Sequence, residues 1–135
     1  PNTDWSNSLL KKISLLNIDH HQNLSHSEIN SHLDLSDIFI LPSSDETFGI
    51  VYLEALSRGV PIIYKKHTGV DGLFSRPVGF GVKNGSIEEL ESGIEYILNN
   101  YNELSANCLS EVVNHNWSNV SNRILAIYKK ISVDV

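Results

Sequence analysis

Two glutamates, Glu46 and Glu54, flank the predicted start of a helix and have the side chains best suited to chemistry in this chain. They lie eight residues apart, which corresponds to roughly 12 Å at helical rise. Between them, the first backbone N–H groups of the helix suit an anion, and Gly49 lets a ligand approach the backbone closely. A ligand with a diphosphate between two hydroxyl-rich rings, such as a nucleotide-sugar, fits this pattern. From spacing alone, an ordinary loop acid and a solvated helix acid are an open alternative.

A strand, a loop and a helix must position these two acids. The apolar run Ile38–Leu41 ends at Pro42, which predicts a short buried strand. The polar residues 43–47 then form a loop that leads into a helical pattern with Phe48, Val51, Ala55 and Leu56 on one face. Arg58-Gly59 is typical of a helix end, because glycine adopts the left-handed conformation there.

Composition narrows the class of protein. The chain has 135 residues, 41% of them hydrophobic, and a formal net charge of −6. This length suits one domain, residues 1–135, with a core of its own. The negative charge and the lack of a basic cluster argue against a nucleic-acid partner. A single cysteine, Cys108, excludes an internal disulfide framework and favours a reducing compartment.

Further strands and helices alternate along the chain. The patterns predict a helix from Trp5 to about Leu16, a strand Ile18–His21, a helix from Ser27 to about Leu35, strands Pro61–Tyr64 and Gly79–Val82, and helices Ser86–Asn99, Glu103–Asn114 and Ser118–Ile131. Ser27 is expected to cap its helix, and Ser86 with Glu89 forms a predicted capping box. The last helix has an apolar stripe of Val120, Ile124, Ile127 and Tyr128. This alternation predicts an α/β fold with a Rossmann-like parallel sheet, in which ligands bind beyond the carboxyl ends of the strands.

The central stretch resembles the signature of glycosyltransferase family 4, whose members are retaining enzymes of the GT-B architecture. The resemblance rests on Pro42-Ser43, Glu46, Phe48-Gly49, Leu53–Leu56, Gly59 and Pro61 in this order. Leu35-Ser36-Asp37, Gly79–Val82 and Asn116-Trp117 extend it over most of the chain. It implies the carboxyl-terminal, donor-binding domain of such an enzyme.

The resemblance also implies residue roles. Glu46 would be the catalytic residue that faces the transferred sugar, and Glu54 would bind the ribose hydroxyls. The backbone around Phe48, Gly49, Ile50 and Val51, together with Ser43, would contact the sugar and the diphosphate. The turn at Asn23 and Leu24 would border the base. The family's phosphate-binding arginine and lysine have no counterpart in these 135 residues.

The same resemblance implies the reaction and its partners. A sugar, for which we expect a UDP-hexose or UDP-N-acetylhexosamine donor, would pass to a glycan or lipid-linked acceptor in bacterial surface polysaccharide synthesis, such as O-antigen or capsule. An amino-terminal domain outside this chain would bind the acceptor. No metal or other cofactor is expected. The expected location is the cytoplasm, with peripheral contact to the inner membrane face.

The fold expectation leaves a gap in the sheet. In the family's usual strand order, two strands would lie between Ile18–His21 and Ile38–Leu41. This chain carries no pattern for them, and an unpaired central edge is a feature that proteins avoid. We therefore expect that the first strand–helix units were cut away, that another chain supplies them, or that the fragment rearranges and self-associates.

Two other interpretations compete with an enzyme. His20, His21, His26 and His32 could suggest a metal site, but their spacing matches no zinc pattern and no cysteine is nearby. The second alternative is a catalytically silent nucleotide-binding or interaction module on the same fold. The presence of both glutamates and of Gly49 favours the enzyme.

Overall fold

The computed structural model describes residues 16–45, 47 and 49–133, and of residues 132 and 133 only the backbone. The helices and strands, numbered in chain order, are α1 (His26–Asp34), β1 (Phe39–Leu41), α2 (Ile50–Ser57), β2 (Ile62–Lys65), β3 (Gly79–Val82), α3 (Ile87–Asn99), α4 (Tyr101–Val112), a 3-10 helix (Val113–His115) and α5 (Trp117–Val133). The predicted α/β class is confirmed. The helix predicted from Trp5 lies almost wholly outside the described residues.

The three strands form one parallel sheet in the order β1-β2-β3. Phe39 pairs with Ile62, and Ile62 pairs in turn with Gly79. The prediction of strand β3 is confirmed at both ends, and β2 starts one residue later than predicted. Neighbouring β2 residues point to opposite faces, so Ile62 and Ile63 belong to two separate core clusters, and both are fully buried.

The predicted strand Ile18–His21 is wrong. These residues are exposed and pair with no strand in the part of the chain that the structure describes. A strand requires a hydrogen-bonding neighbour, and β1 is the edge of the described sheet on that side. Without a neighbour, this segment of one isoleucine and three polar residues does not form a strand.

Helix α1 begins two residues earlier than predicted because Ser25, and not Ser27, is its N-cap. The Ser25 backbone N–H donates to the Glu28 carboxylate at 2.8 Å, and the Glu28 N–H donates to Ser25 Oγ at 3.4 Å. This reciprocal pair is a capping box. Ser27 has no glutamate or glutamine three residues later that could complete such a pair.

Helix α3 begins after Ser86, as predicted, and the Ser86 hydroxyl accepts from the Glu89 N–H. The Glu89 carboxylate binds the preceding turn, where it accepts from the N–H groups of Asn84, Gly85 and Lys83 at 2.8, 2.9 and 3.2 Å. These amides, that of Asn84 foremost, hold the pKa of Glu89 below its ordinary value. They fix the turn at the carboxyl end of β3.

The last helix forms nearly where predicted, but its apolar stripe is not buried within the described part of the chain. Ile124, Ile127 and Tyr128 are 48, 58 and 66% exposed, and Trp117 at its start is 80% exposed. The 3.6-residue period therefore identified the helix correctly.

Candidate functional site

The candidate site lies where β1 ends and α2 begins, at the carboxyl edge of the sheet. The Tyr52 hydroxyl donates to the Leu41 carbonyl at 2.6 Å, which ties the first turn of α2 to the last residue of β1. Tyr52 is fully buried, and its ring meets that of Phe39 edge to face at 5.8 Å. The apolar face predicted for this helix did not include Tyr52, because a tyrosine carries a polar hydroxyl and is less often fully buried than an aliphatic residue. The helix and strand are therefore held together just before the Pro42 loop.

Gly49 gives α2 an open amino-terminal end. It is buried and has a φ of 69°, a left-handed conformation that glycine adopts without a steric penalty. Among the described residues, no side chain forms a capping hydrogen bond at this position. The first N–H groups of α2, those of Ile50 and Val51, have no partner within the helix, as in any helix start. Of the two, Ile50 is exposed and Val51 half-buried.

Glu54 lies one turn further along α2, on the side that faces α1. Its Oε1 lies 3.5 Å from Nδ1 of His26, and its side chain is 26% exposed. An ion pair forms there when His26 is protonated. A second pair, at 3.4 Å, joins Arg58, the cap residue after α2, to Asp34, the last residue of α1. Glu54 thus has a defined position between two helices, and the contact with His26 was missed because neither motif nor period links residues in different helices.

The structure brings the predicted base-side turn near Glu54. Asn23 is exposed with a φ of 55°, and Leu24 is half-buried. They directly precede the Ser25 cap and His26. Asn23 and Leu24 therefore lie a few residues along the chain from the contact with Glu54. Glu46 and Phe48 lie outside the described residues, so the role expected of each stays a prediction.

The loop between β1 and α2 has a contact that the sequence did not suggest. Nζ of Lys65, the last residue of β2, donates to Ser44 Oγ at 2.7 Å. Ser43, the neighbouring predicted donor contact, is half-buried, whereas Ser44 is exposed. The sequence shows two lysines, Lys65 and Lys66, at the end of β2. The pairing of β1 with β2 is needed to see that the Lys65 side chain reaches the loop after β1.

The turn after β2 is held by an acid. The Asp71 carboxylate accepts from the His67 N–H at 2.8 Å, and His67 has a left-handed φ of 64°. Burial raises the pKa of Tyr64, and the nearby Asp71 carboxylate adds to this shift. These contacts shape the turn that follows Lys65.

Metal and thiol chemistry find no support among the residues with assigned positions. No three of their His, Cys, Asp and Glu side chains form a group that could hold a metal ion. His21 and His32 instead place their rings 4.4 Å apart. Cys108 is fully buried, and burial raises the pKa of its thiol to about 12, which leaves it unreactive. In residues 16–45, 47 and 49–133, no helix is long and apolar enough to cross a membrane.

Comparison with known families identifies the class. The model of the family described as "Glycosyl transferases group 1" matches residues 3–111. The chain belongs to this glycosyltransferase family. The match includes the loop between β1 and α2 and the whole of α2, and therefore both Glu46 and Glu54.

Curated proteins and solved structures resemble this chain over most of its length. An "Uncharacterized 41.2 kDa protein in cps region" of Klebsiella pneumoniae is 26% identical over 132 residues, which is 93% of this chain and 36% of that protein. Sucrose-phosphate synthase from Thermosynechococcus elongatus superposes with a TM-score of 0.77 at 20% identity, over 96% of this chain and 34% of that one. Anabaena HepE in complex with UDP-glucose superposes with a TM-score of 0.68 at 20% identity, over 96% of this chain and 37% of that one.

These structures establish a shared Rossmann-like, GT-B type of fold. The glycosyltransferase chain described here spans only 16–36% of the length of the curated relatives that it matches.

Proposed function

We propose that this chain is the donor-binding part of a glycosyltransferase that moves a sugar from a nucleotide-sugar to a glycan or lipid-linked acceptor. The observation that carries the proposal is the uncapped start of α2 at the carboxyl edge of the sheet, with the Glu54 carboxylate one turn further on. The open amides suit a diphosphate, and a carboxylate accepts hydrogen bonds from the two vicinal hydroxyls of a ribose.

The proposed donor is a UDP-sugar. Support comes from the Anabaena structure of the same fold, which was solved with UDP-glucose. The Klebsiella relative in a cps region supports a role in surface polysaccharide synthesis. We place acceptor binding, and any peripheral contact with the inner membrane face, in parts of the protein beyond this chain, because the matched residues cover only 16 and 36% of two of its relatives.

In the proposed complex, the donor lies across the start of α2. Glu54 binds the ribose, and the N–H groups of Gly49, Ile50 and Val51 face the diphosphate and the sugar. Glu46, with Ser43 and Phe48 beside it, holds the transferred sugar. Asn23 and Leu24 border the base.

The proposed reaction retains the configuration of the sugar. The bond between the anomeric carbon and the diphosphate oxygen breaks, and negative charge builds up on the leaving diphosphate, where helix amides stabilise it. The acceptor hydroxyl attacks from the same side, and the departing phosphate takes its proton. A double displacement, with Glu46 as nucleophile and a glycosyl-enzyme intermediate, would also retain configuration.

The substitution Glu46→Gln in the full-length protein tests the proposal. We expect turnover with a UDP-sugar to fall by at least about a hundredfold, while donor affinity changes far less. Glu91→Gln, an exposed glutamate of α3, is the matched control and should leave turnover unchanged. Unchanged turnover in the Glu46 variant would remove this residue from the site.

A further inference from the structure

Lys65 makes the contact on which the inference rests. Its Nζ reaches from the end of β2 to Ser44 Oγ at 2.7 Å, across 21 positions of sequence. The described residues of this loop are 43–45 and 47, and the bond to Ser44 is the only hydrogen bond that their side chains form. A charge-assisted bond of this length is stronger than one between neutral groups.

The backbone of Lys65 is fixed on several sides. Lys65 lies in β2, the central strand of the described sheet, and pairs with Val82 of β3. The N–H of the next residue, Lys66, donates to the Val82 carbonyl at 2.7 Å. The Thr68 hydroxyl donates to the Lys65 carbonyl at 2.7 Å. The ammonium group therefore extends from a rigid strand end, whereas the loop that it contacts has no ladder partner.

Ser44 lies two residues before Glu46. Two residues of chain span at most about 7 Å, so the position of Ser44 limits where the Glu46 backbone can lie. Just before the same loop, the carbonyl of Leu41 accepts a hydrogen bond from the Tyr52 hydroxyl. The lysine contact is the second fixed point of this loop.

We propose that Lys65 is a positioning residue that acts through Ser44 to hold the loop carrying Glu46 in place beside the start of α2. This inference rests on the proposed function for the role of Glu46. Because Ser44 is exposed, the contact adds little to the stability of the fold. It can still affect turnover, since small displacements of a reacting group are costly.

The kinetic experiment uses the full-length protein and a UDP-sugar donor, with the variants Lys65→Met, Ser44→Ala and their combination. We expect each single variant to lower kcat about tenfold and to leave the donor KM within about threefold. The combined variant should be no worse than Lys65→Met, because both changes remove one contact. Lys65→Arg, which keeps the charge and the donor groups, should recover most of the turnover.

Lys66→Met is the matched control. Its side chain lies over Gly81 of β3, where an added Cβ would come within 2.9 Å of Lys66 Cγ. We expect kcat of this variant within twofold of the wild type. An equal loss in the Lys66 variant would attribute the effect to net charge and overturn the inference, as would a raised donor KM with intact kcat, which would make Lys65 a donor ligand.

A second readout does not depend on activity. Cleavage after Glu46 by a glutamate-specific protease should accelerate about threefold in Lys65→Met and stay unchanged in Lys66→Met, because a less restrained exposed loop enters a protease more readily. Unchanged cleavage in Lys65→Met would overturn the inference whatever the protein catalyses. A wild-type protein that transfers no sugar, but whose Lys65→Met variant shows the faster cleavage, would instead refute the proposed function and leave the contact intact.

Discussion

The hydrogen bond from Tyr52 to Leu41 predicts a measurable loss of stability in Tyr52→Phe. The substitution removes one buried oxygen and keeps the ring, including its edge-to-face contact with Phe39. The lost bond is 2.6 Å long, and it leaves the Leu41 carbonyl without this donor. A net contribution of about 1 kcal/mol per hydrogen bond, with the added cost of an under-satisfied carbonyl, gives an expected loss of about 1–2 kcal/mol.

Urea unfolding of the wild type and the variant, followed by circular dichroism, measures this loss. With a slope of roughly 2 kcal/mol per molar urea for a chain of this size, the midpoint should fall by about 0.5–1 M. Tyr96→Phe is the control, because Tyr96 is 38% exposed and packs on Phe80; its midpoint should shift by less than about 0.2 M. A Tyr52→Phe midpoint equal to that of the wild type would refute the proposed link between α2 and β1.

Two further predictions concern stability. Gly79→Ala should lower the melting temperature more than Gly93→Ala does. A Cβ at Gly79 would lie 1.8 Å from a backbone oxygen of β2, whereas a Cβ at Gly93 would lie 2.9 Å from the ring of Phe80, which can move. The reverse ranking of the two melting temperatures would contradict this packing. Glu89→Gln should lower the melting temperature at pH 7, and the difference should shrink as pH falls through the carboxyl range. The reason is that hydrogen bonds from Asn84 and its neighbours hold the pKa of Glu89 below its ordinary 4.5, and a lowered folded-state pKa contributes stability that is lost on protonation. A difference independent of pH would rule this out.

Local signals predicted most of the helices and strands. Gly59 has the predicted left-handed conformation, with a φ of 71°, one residue after the Arg58 cap of α2. Strand β3 and the start of α3 also form where turn and capping residues place them. In these cases the residues that determine the structure are close together in sequence.

The errors and omissions arise where the structure depends on contacts between residues that are far apart in the sequence. The predicted strand Ile18–His21 has no neighbour in the described sheet. The contacts of Lys65 with Ser44 and of His26 with Glu54 depend on how β1, β2, α1 and α2 pack. No pattern within either partner's own segment could have indicated them.

A crystal structure of the full-length protein with a non-transferable UDP-sugar tests the central claim most directly. We predict that the ribose hydroxyls lie within about 2.6–3.2 Å of the Glu54 carboxylate, that the diphosphate faces the amides of Gly49–Val51, and that Glu46 contacts the sugar. A donor bound elsewhere, or Glu46 and Glu54 directed away from a common cleft, would contradict the account.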